Sequence, residues 1–291
     1  MLKKVNGFLT LIKFSHSVFA LPFALTAFAL AWVKGLGALS FAETLGWVVL
    51  AMVGARTGAM GFNRLVDIPF DAANPRTQSR PSVTGEVSKP LMVVMILLSY
   101  TALVYAAFRL SPLAFYLSPV AIFLVSFYSF TKRFTFLCHF FLGLAIGAAP
   151  IASWIAVTGE ISATSLLIGG GVFCWISGFD IIYALQDHEY DAGEGLHSVP
   201  VVFGVKKSLW FARGLHSVAF TTWMLLAKWE GLGYYYLAAV AISTMLLVYE
   251  HWLLKDGDLQ KIDMAFFNMN AYISMLLFIG VSLDLYMSGY V

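Results

Sequence analysis

Charge is what this chain has least of. Only 12% of its 291 residues are Asp, Glu, Lys or Arg, where a soluble domain carries about a quarter. The 60% that are hydrophobic are too many for a single soluble core of this size to hide, so lipid is the expected solvent. Cysteine is nearly absent. Cys138 and Cys174 both sit in apolar runs, match no metal-ligand spacing and suggest no disulfide, so they read as small buried hydrophobes. A net charge of +2 is too small to point to a nucleic-acid partner, and none is expected. A cleavable signal peptide is also missing. The first apolar run follows Lys3, Lys4 and Lys13 but has no small-residue cleavage site and is followed by Lys34, so it reads as a spanning helix. No run shows the strict alternation of a barrel strand.

What is present is a series of long apolar runs. A spanning helix needs roughly 20 mostly apolar residues, and nine runs qualify: 17–33, 44–62, 91–108, 112–130, 137–157, 163–185, 209–227, 234–254 and 267–288. They predict one all-α domain over residues 1–291, a polytopic membrane protein of nine helices around a central cavity. With the N-terminus inside, the inner segments hold Lys3, Lys4, Lys13, Arg64, Arg76, Arg80, Lys89, Lys132, Arg133, Lys206, Lys207, Lys255 and Lys261. The outer segments hold only Lys34, Arg109 and Lys228. Arg56 and Arg213 fall within spans. Cytoplasmic loops concentrate Lys and Arg, so the N-terminus is expected in the cytoplasm and the C-terminus outside.

Two inner loops, 63–90 and 186–208, are long and polar, and long loops in compact proteins are usually functional or disordered. In the first, Asn63, Asp67 and Asp71 are spaced by four, which puts Asn63 and Asp67 on one helical face. Pro69 predicts a kink or helix end there. In the second, Asp180, Tyr183, Asp187 and Asp191 share one helical stripe. Tyr183, Asp187 and Asp191 echo the first spacing 120 residues later. Two facing carboxylate clusters repel unless cations lie between them. Hard oxygen ligands suit Mg²⁺, which commonly takes one or two carboxylates plus substrate phosphates. Arg76, Arg80 and a nearby lysine could hold the remaining phosphate charge. A diphosphate so bound is a good leaving group, and its departure from an allylic carbon leaves a carbocation. His188 and His197 have no second histidine or cysteine to complete a metal site.

These motifs resemble the UbiA superfamily of intramembrane aromatic prenyltransferases. The resemblance rests on Asn63-x-x-x-Asp67-x-x-x-Asp71, on Asn74-Pro75-Arg76-Thr77-x-x-Arg80-Pro81, and on Asp180-x-x-Tyr183-Ala184-x-x-Asp187-x-x-x-Asp191, set among nine apolar runs. The stretch from Lys13 through His16 to Pro22 looks most like the bacterial branch named for 4-hydroxybenzoate polyprenyltransferase, which includes menaquinone-pathway enzymes acting on a dihydroxynaphthoate. The resemblance implies transfer of a polyprenyl group from its diphosphate to an aromatic acid in quinone biosynthesis, with a site on the cytoplasmic side. It implies that Asn63, Asp67, Asp71, Asp187 and Asp191 hold the magnesium diphosphate, with Asp180 and Tyr183 supporting. Lys13 lies where the family often has a basic residue facing the diphosphate. One departure is Gly195-Leu196-His197-Ser198, where many members have lysine before the serine.

Arg56 stands seven residues before Asn63 and eleven before Asp67, on the same helical stripe and roughly 10 Å deeper at 1.5 Å per residue. A charge within a span is usually interior-facing and partnered, and a guanidinium suits a benzoate-type carboxylate. The rival reading is a transporter or channel, which also carries intramembrane charge. A membrane phosphotransferase of the CDP-alcohol class is a third, but its DGxxAR-type signature is absent.

Overall fold

A computed structural model describes residues 20–35, 39–254 and 262–289, with side chains described for all of these except 262–269. The described chain is helical throughout: α1 (Leu21–Trp32), α2 (Phe41–Val66), α3 (Ile68–Ala73), α4 (Lys89–Leu110), α5 (Pro112–Thr131), α6 (Cys138–Thr158), α7 (Ala163–Ala184), α8 (His188–Gly193), α9 (Val199–Glu230), α10 (Tyr234–Leu253) and α11 (Ile262–Met287). Side-chain caps and glycines set the ends. Ser111 accepts from the Ala114 amide at the start of α5, and Ser162 and Ser165 form a reciprocal capping box at the start of α7. Gly159 and Gly231 end α6 and α9 at φ of 76° and 67°, a left-handed geometry that favours glycine.

Nine of these helices overlap the nine apolar runs, and the protein is an integral membrane protein. Among the described residues, seven helical segments are long and apolar enough to cross a bilayer. Helix α1 shows only 12 described residues, and α9 is long but carries Lys206, Lys207, Arg213 and His216. The seventh run, expected at 209–227, belongs to a helix that begins ten residues earlier, kinked at Gly204 (φ 77°). Leu97, Leu98, Phe123 and Val248 present apolar side chains outward, which suits a hydrocarbon solvent.

Neighbours along the chain pack side by side: α2 on α4, α5 on α4 and α6, α7 on α6 and α9, and α10 on α9 and α11. Helix α1 packs on α6 and α11. Small residues let the helices approach. A Cβ on Gly54 of α2 would meet the Ser99 carbonyl of α4 at 2.6 Å, and one on Gly147 of α6 would meet the Gly169 carbonyl of α7 at 2.7 Å. Among the described residues, α1, α2, α4, α5 and α6, together with Ala20 at the head of α1, line a cavity of about 280 Å³.

Candidate active site

Both motif segments emerge at the same end of the bundle. Helix α2 stops at Val66, and Asp67 is at once its C-cap and the residue before α3. The break falls two residues before Pro69, which occupies the first turn of α3, where its missing N–H costs nothing. In the second motif the expected single stripe is interrupted. Helix α7 ends at Ala184, a 3₁₀ turn covers Leu185–Asp187, and α8 follows. As a result Asp187 and Asp191 point to different partners, and neither continues the line of Asp180.

Each of the four distal aspartates is neutralised by its own cation. Arg133 Nη2 lies 3.2 Å from Asp67, Arg80 Nη1 2.5 Å from Asp71, and Lys132 Nζ 2.7 Å from Asp191. Arg76 grips Asp187 with Nε at 3.0 Å and Nη2 at 2.5 Å, and donates to the Tyr183 hydroxyl at 3.0 Å. Asn63 donates to Asp67 at 2.9 Å. Asn74 donates to Asp187, and the Tyr190 hydroxyl donates to the Phe70 carbonyl, closing the second segment onto the first. Asp180, expected in a supporting role, faces His139. Lys13 lies outside the described residues.

Burial, with help from the neighbouring Asp71 charge, raises the Asp67 pKa above the usual carboxylate value against the pull of Arg133. Burial alone would lower the pKa of Arg76, but its bonds to Asp187 and Tyr183 outweigh burial and raise it. Lys132 behaves likewise: the Asp191 charge overcomes burial, and the ammonium is held more firmly protonated. By distance all four are salt bridges.

The sequence reading counted Lys132 and Arg133 only as topology-setting charges. Their signal was an adjacent pair in a short turn at the same membrane face as both motifs, but their partners lie some 60 residues away in each direction.

The donor set suits a hard cation. Asp71 Oδ2 and Asp191 Oδ2 are buried without a hydrogen-bond partner, and such oxygens are costly to leave unpaired. Among the described residues no three His, Cys, Asp or Glu side chains stand close enough to hold a metal unaided. Ligands from a substrate would be needed to complete the shell, which is how Mg²⁺ is commonly bound.

Immediately inward, the cavity wall carries Arg56 and Tyr128 beside one another. Arg56 Nε is buried without a hydrogen-bond partner, and the side chain forms no ion pair among the described residues. The rest of the lining is almost wholly apolar and rich in alanine, from Ala51, Ala55 and Ala59 on α2 to Ala145, Ala149 and Ala152 on α6. On α5 the lining runs from Tyr128 back to Ala114, about 21 Å at 1.5 Å per residue.

The model of the UbiA prenyltransferase family matches residues 20–273. The chain belongs to this family. It is a prenyltransferase, as the relatives' names agree. A 4-hydroxybenzoate octaprenyltransferase of Tolumonas auensis is 30% identical over 257 residues, covering 87% of each chain. That of Alkalilimnicola ehrlichii is 29% identical over 262 residues, covering 89% of this chain and 87% of its own. Among solved structures, the apo form of a UbiA homolog from Aeropyrum pernix K1 has a TM-score of 0.84 at 26% identity, covering 93% of this chain and 98% of that one. A UbiA homolog from Archaeoglobus fulgidus bound to DMAPP and Mg²⁺ shares the fold, with a TM-score of 0.64 at 17% identity over 93% and 98%.

Proposed function

We propose that the protein transfers a polyprenyl group from a prenyl diphosphate to an aromatic carboxylate, of the 4-hydroxybenzoate or dihydroxynaphthoate type, in quinone biosynthesis. The observation that carries this reading is the placement of four paired carboxylates and cations at the mouth of an apolar cavity whose wall holds an arginine with an unpartnered buried nitrogen. The relatives named for 4-hydroxybenzoate point to the same class of acceptor. The A. fulgidus homolog, which binds a prenyl diphosphate with Mg²⁺, supports the donor and the metal.

Asn63, Asp67 and Asp71 from the first segment and Asp187 and Asp191 from the second would hold Mg²⁺. When bound, Mg²⁺ supplies positive charge that makes diphosphate a better leaving group. Arg76, Arg80, Lys132 and Arg133 then turn from the aspartates they now neutralise to the diphosphate oxygens, since a bidentate or charge-assisted contact is available to each. The allylic C–O bond breaks, and the diphosphate leaves with the electron pair. Arg56 grips the acceptor carboxylate and presents the ring to the allylic cation. A ring carbon ortho to the hydroxyl forms the new C–C bond, and the same carbon then gives its proton to an oxygen of the departed diphosphate. The prenyl tail lies along the alanine-lined groove, which excludes water from the cation.

The active site faces the cytoplasm, with the N-terminus inside and the C-terminus outside, in a bacterial inner membrane. The polar groups gather at one end of the cavity, which favours a reaction chamber over a transport path. The test is an acceptor screen with purified protein, prenyl diphosphate and Mg²⁺, scored by mass spectrometry. A prenylated 4-hydroxybenzoate or dihydroxynaphthoate supports the reading. Prenylation only of acceptors lacking a carboxylate would refute it.

A further inference from the structure

Beside the site, but outside the cavity lining, lies a buried histidine that the reaction as described does not use. His139 sits in the first turn of α6 and is 2% exposed. Its Nδ1 is 2.7 Å from Asp180 Oδ2, and its Nε2 accepts from the Val199 amide at 3.2 Å. A backbone N–H can only donate, so this contact assigns the lone pair to Nε2. The proton is then on Nδ1 and is given to the Asp180 carboxylate. One ring thus ties three segments together: the turn that carries Lys132, the helix that leads into Asp187 and Asp191, and the first turn of α9.

Three further bonds lie alongside it. The His197 amide donates to the Lys132 carbonyl at 2.7 Å, and the Cys138 thiol donates to the His197 carbonyl at 3.5 Å. The Leu196 amide donates to the Asp191 carbonyl at 2.9 Å. The Lys132–Asp191 pair therefore sits in a small frame that the His139 ring joins to Asp180.

We infer that His139 is a positioning residue, which through Asp180 and the Val199 amide sets the register of the second aspartate motif against Lys132 and so shapes the diphosphate site. This rests on the functional reading above. Asp180 acts here by holding His139, not by touching substrate. A planar amide can do the same work. His139→Gln can donate from Nε2 to Asp180 and accept the Val199 N–H at Oε1, whereas His139→Leu fills the space and does neither.

The experiment has two arms. In the first, the imidazole nitrogens of the ¹⁵N-histidine-labelled protein are read by NMR at neutral pH, with His139→Gln identifying the signal. A bare Nε2 and a protonated Nδ1 are expected. A protonated Nε2 overturns the inference, and this arm needs no turnover, so it stands whatever becomes of the functional reading. In the second, KM and kcat are measured for both substrates, together with binding of a non-hydrolysable prenyl thiolodiphosphate. His139→Leu is expected to lose about tenfold in kcat/KM and in analogue affinity for the diphosphate, the cost of stranding buried partners, with the acceptor KM unchanged. His139→Gln is expected to stay within about threefold of the parent. Asp180→Leu should reproduce the histidine loss, and the two should not add in a double-mutant cycle. Additive losses, or a His139→Gln as poor as His139→Leu, would overturn the inference. If His139→Leu does not fold, the NMR arm and the Gln and Asp180 variants decide the matter.

Discussion

Replacing Arg56 by leucine should move stability and acceptor binding in opposite directions. Arg56 Nε is buried with no protein hydrogen-bond partner among the described residues, in an otherwise apolar wall. Stranding such a group costs about 1–3 kcal/mol, so Arg56→Leu should stabilise the free protein by about that amount. This is a rise of a few degrees in Tm, at about 2–4 °C per kcal/mol for a chain this long. The same change removes two charge-assisted hydrogen bonds to a bound carboxylate, each worth about 1.5–3 kcal/mol. A loss of about 3 kcal/mol raises the acceptor KM on the order of 150-fold. Arg56→Lys keeps the charge but not the two-pronged geometry, so it should recover only part of this. The assay is a thermal melt in detergent with steady-state kinetics in which each substrate is varied separately. A stabilised variant with an unchanged acceptor KM would show that Arg56 is only a buried liability. A rise confined to the prenyl diphosphate KM would assign Arg56 to the phosphate site and leave the acceptor to bind elsewhere.

Four further outcomes are expected. Chelating divalent cations should abolish turnover and added Mg²⁺ restore it, because the facing carboxylates cannot hold a diphosphate without metal; full activity in excess chelator would remove the mechanism. Asp67→Asn and Asp187→Asn should each drop the rate below about a tenth of the parent, equivalent to more than roughly 1.4 kcal/mol of barrier, in a protein that still elutes as a folded monodisperse species. Lys132→Met should raise the prenyl diphosphate KM while leaving Asp191 buried and unpaired, so its Tm should fall, which distinguishes it from the Arg56 variant in the same melt. Cysteines placed near Arg76 and near Lys206 should react only with reagent from the cytoplasmic side, and one near Lys34 only from outside; labelling of the first two from opposite faces would refute the topology.

Much of the site was legible because its residue types are rare in this composition. In a chain with so little charge, Asp67, Asp71, Asp187 and Asp191 at spacings of four stand out, and the structure brings both segments to one end of the bundle. Arg56 was legible for the same reason, as a cation within an apolar run, and it does line the cavity. What misled was the assumption of an unbroken helix. The stripe from Asp180 to Asp191 fails at Leu185, where the α-helix tightens into a 3₁₀ turn, so Asp180 faces His139 while Asp187 faces Arg76. His139 itself carried no signal. One histidine in an apolar run becomes meaningful only when a carboxylate 41 residues on and an amide 60 residues on meet its two nitrogens.

Hydropathy and charge therefore determined the helices and the expected orientation. These are sums over about 20 residues and need no knowledge of neighbours. The pairing of each aspartate with its cation, the lining of the cavity by α1, α2, α4, α5 and α6, and the meeting of His139 with Asp180 and the Val199 amide were decided only by tertiary packing. Lipid is as apolar as a leucine side chain, so hydrophobicity puts a helix into the membrane but does not say which helix it packs against. That choice falls to close contacts at glycines such as Gly54 and Gly147 and to a few polar bonds, whose partners lie from 41 to 120 residues apart in the chain.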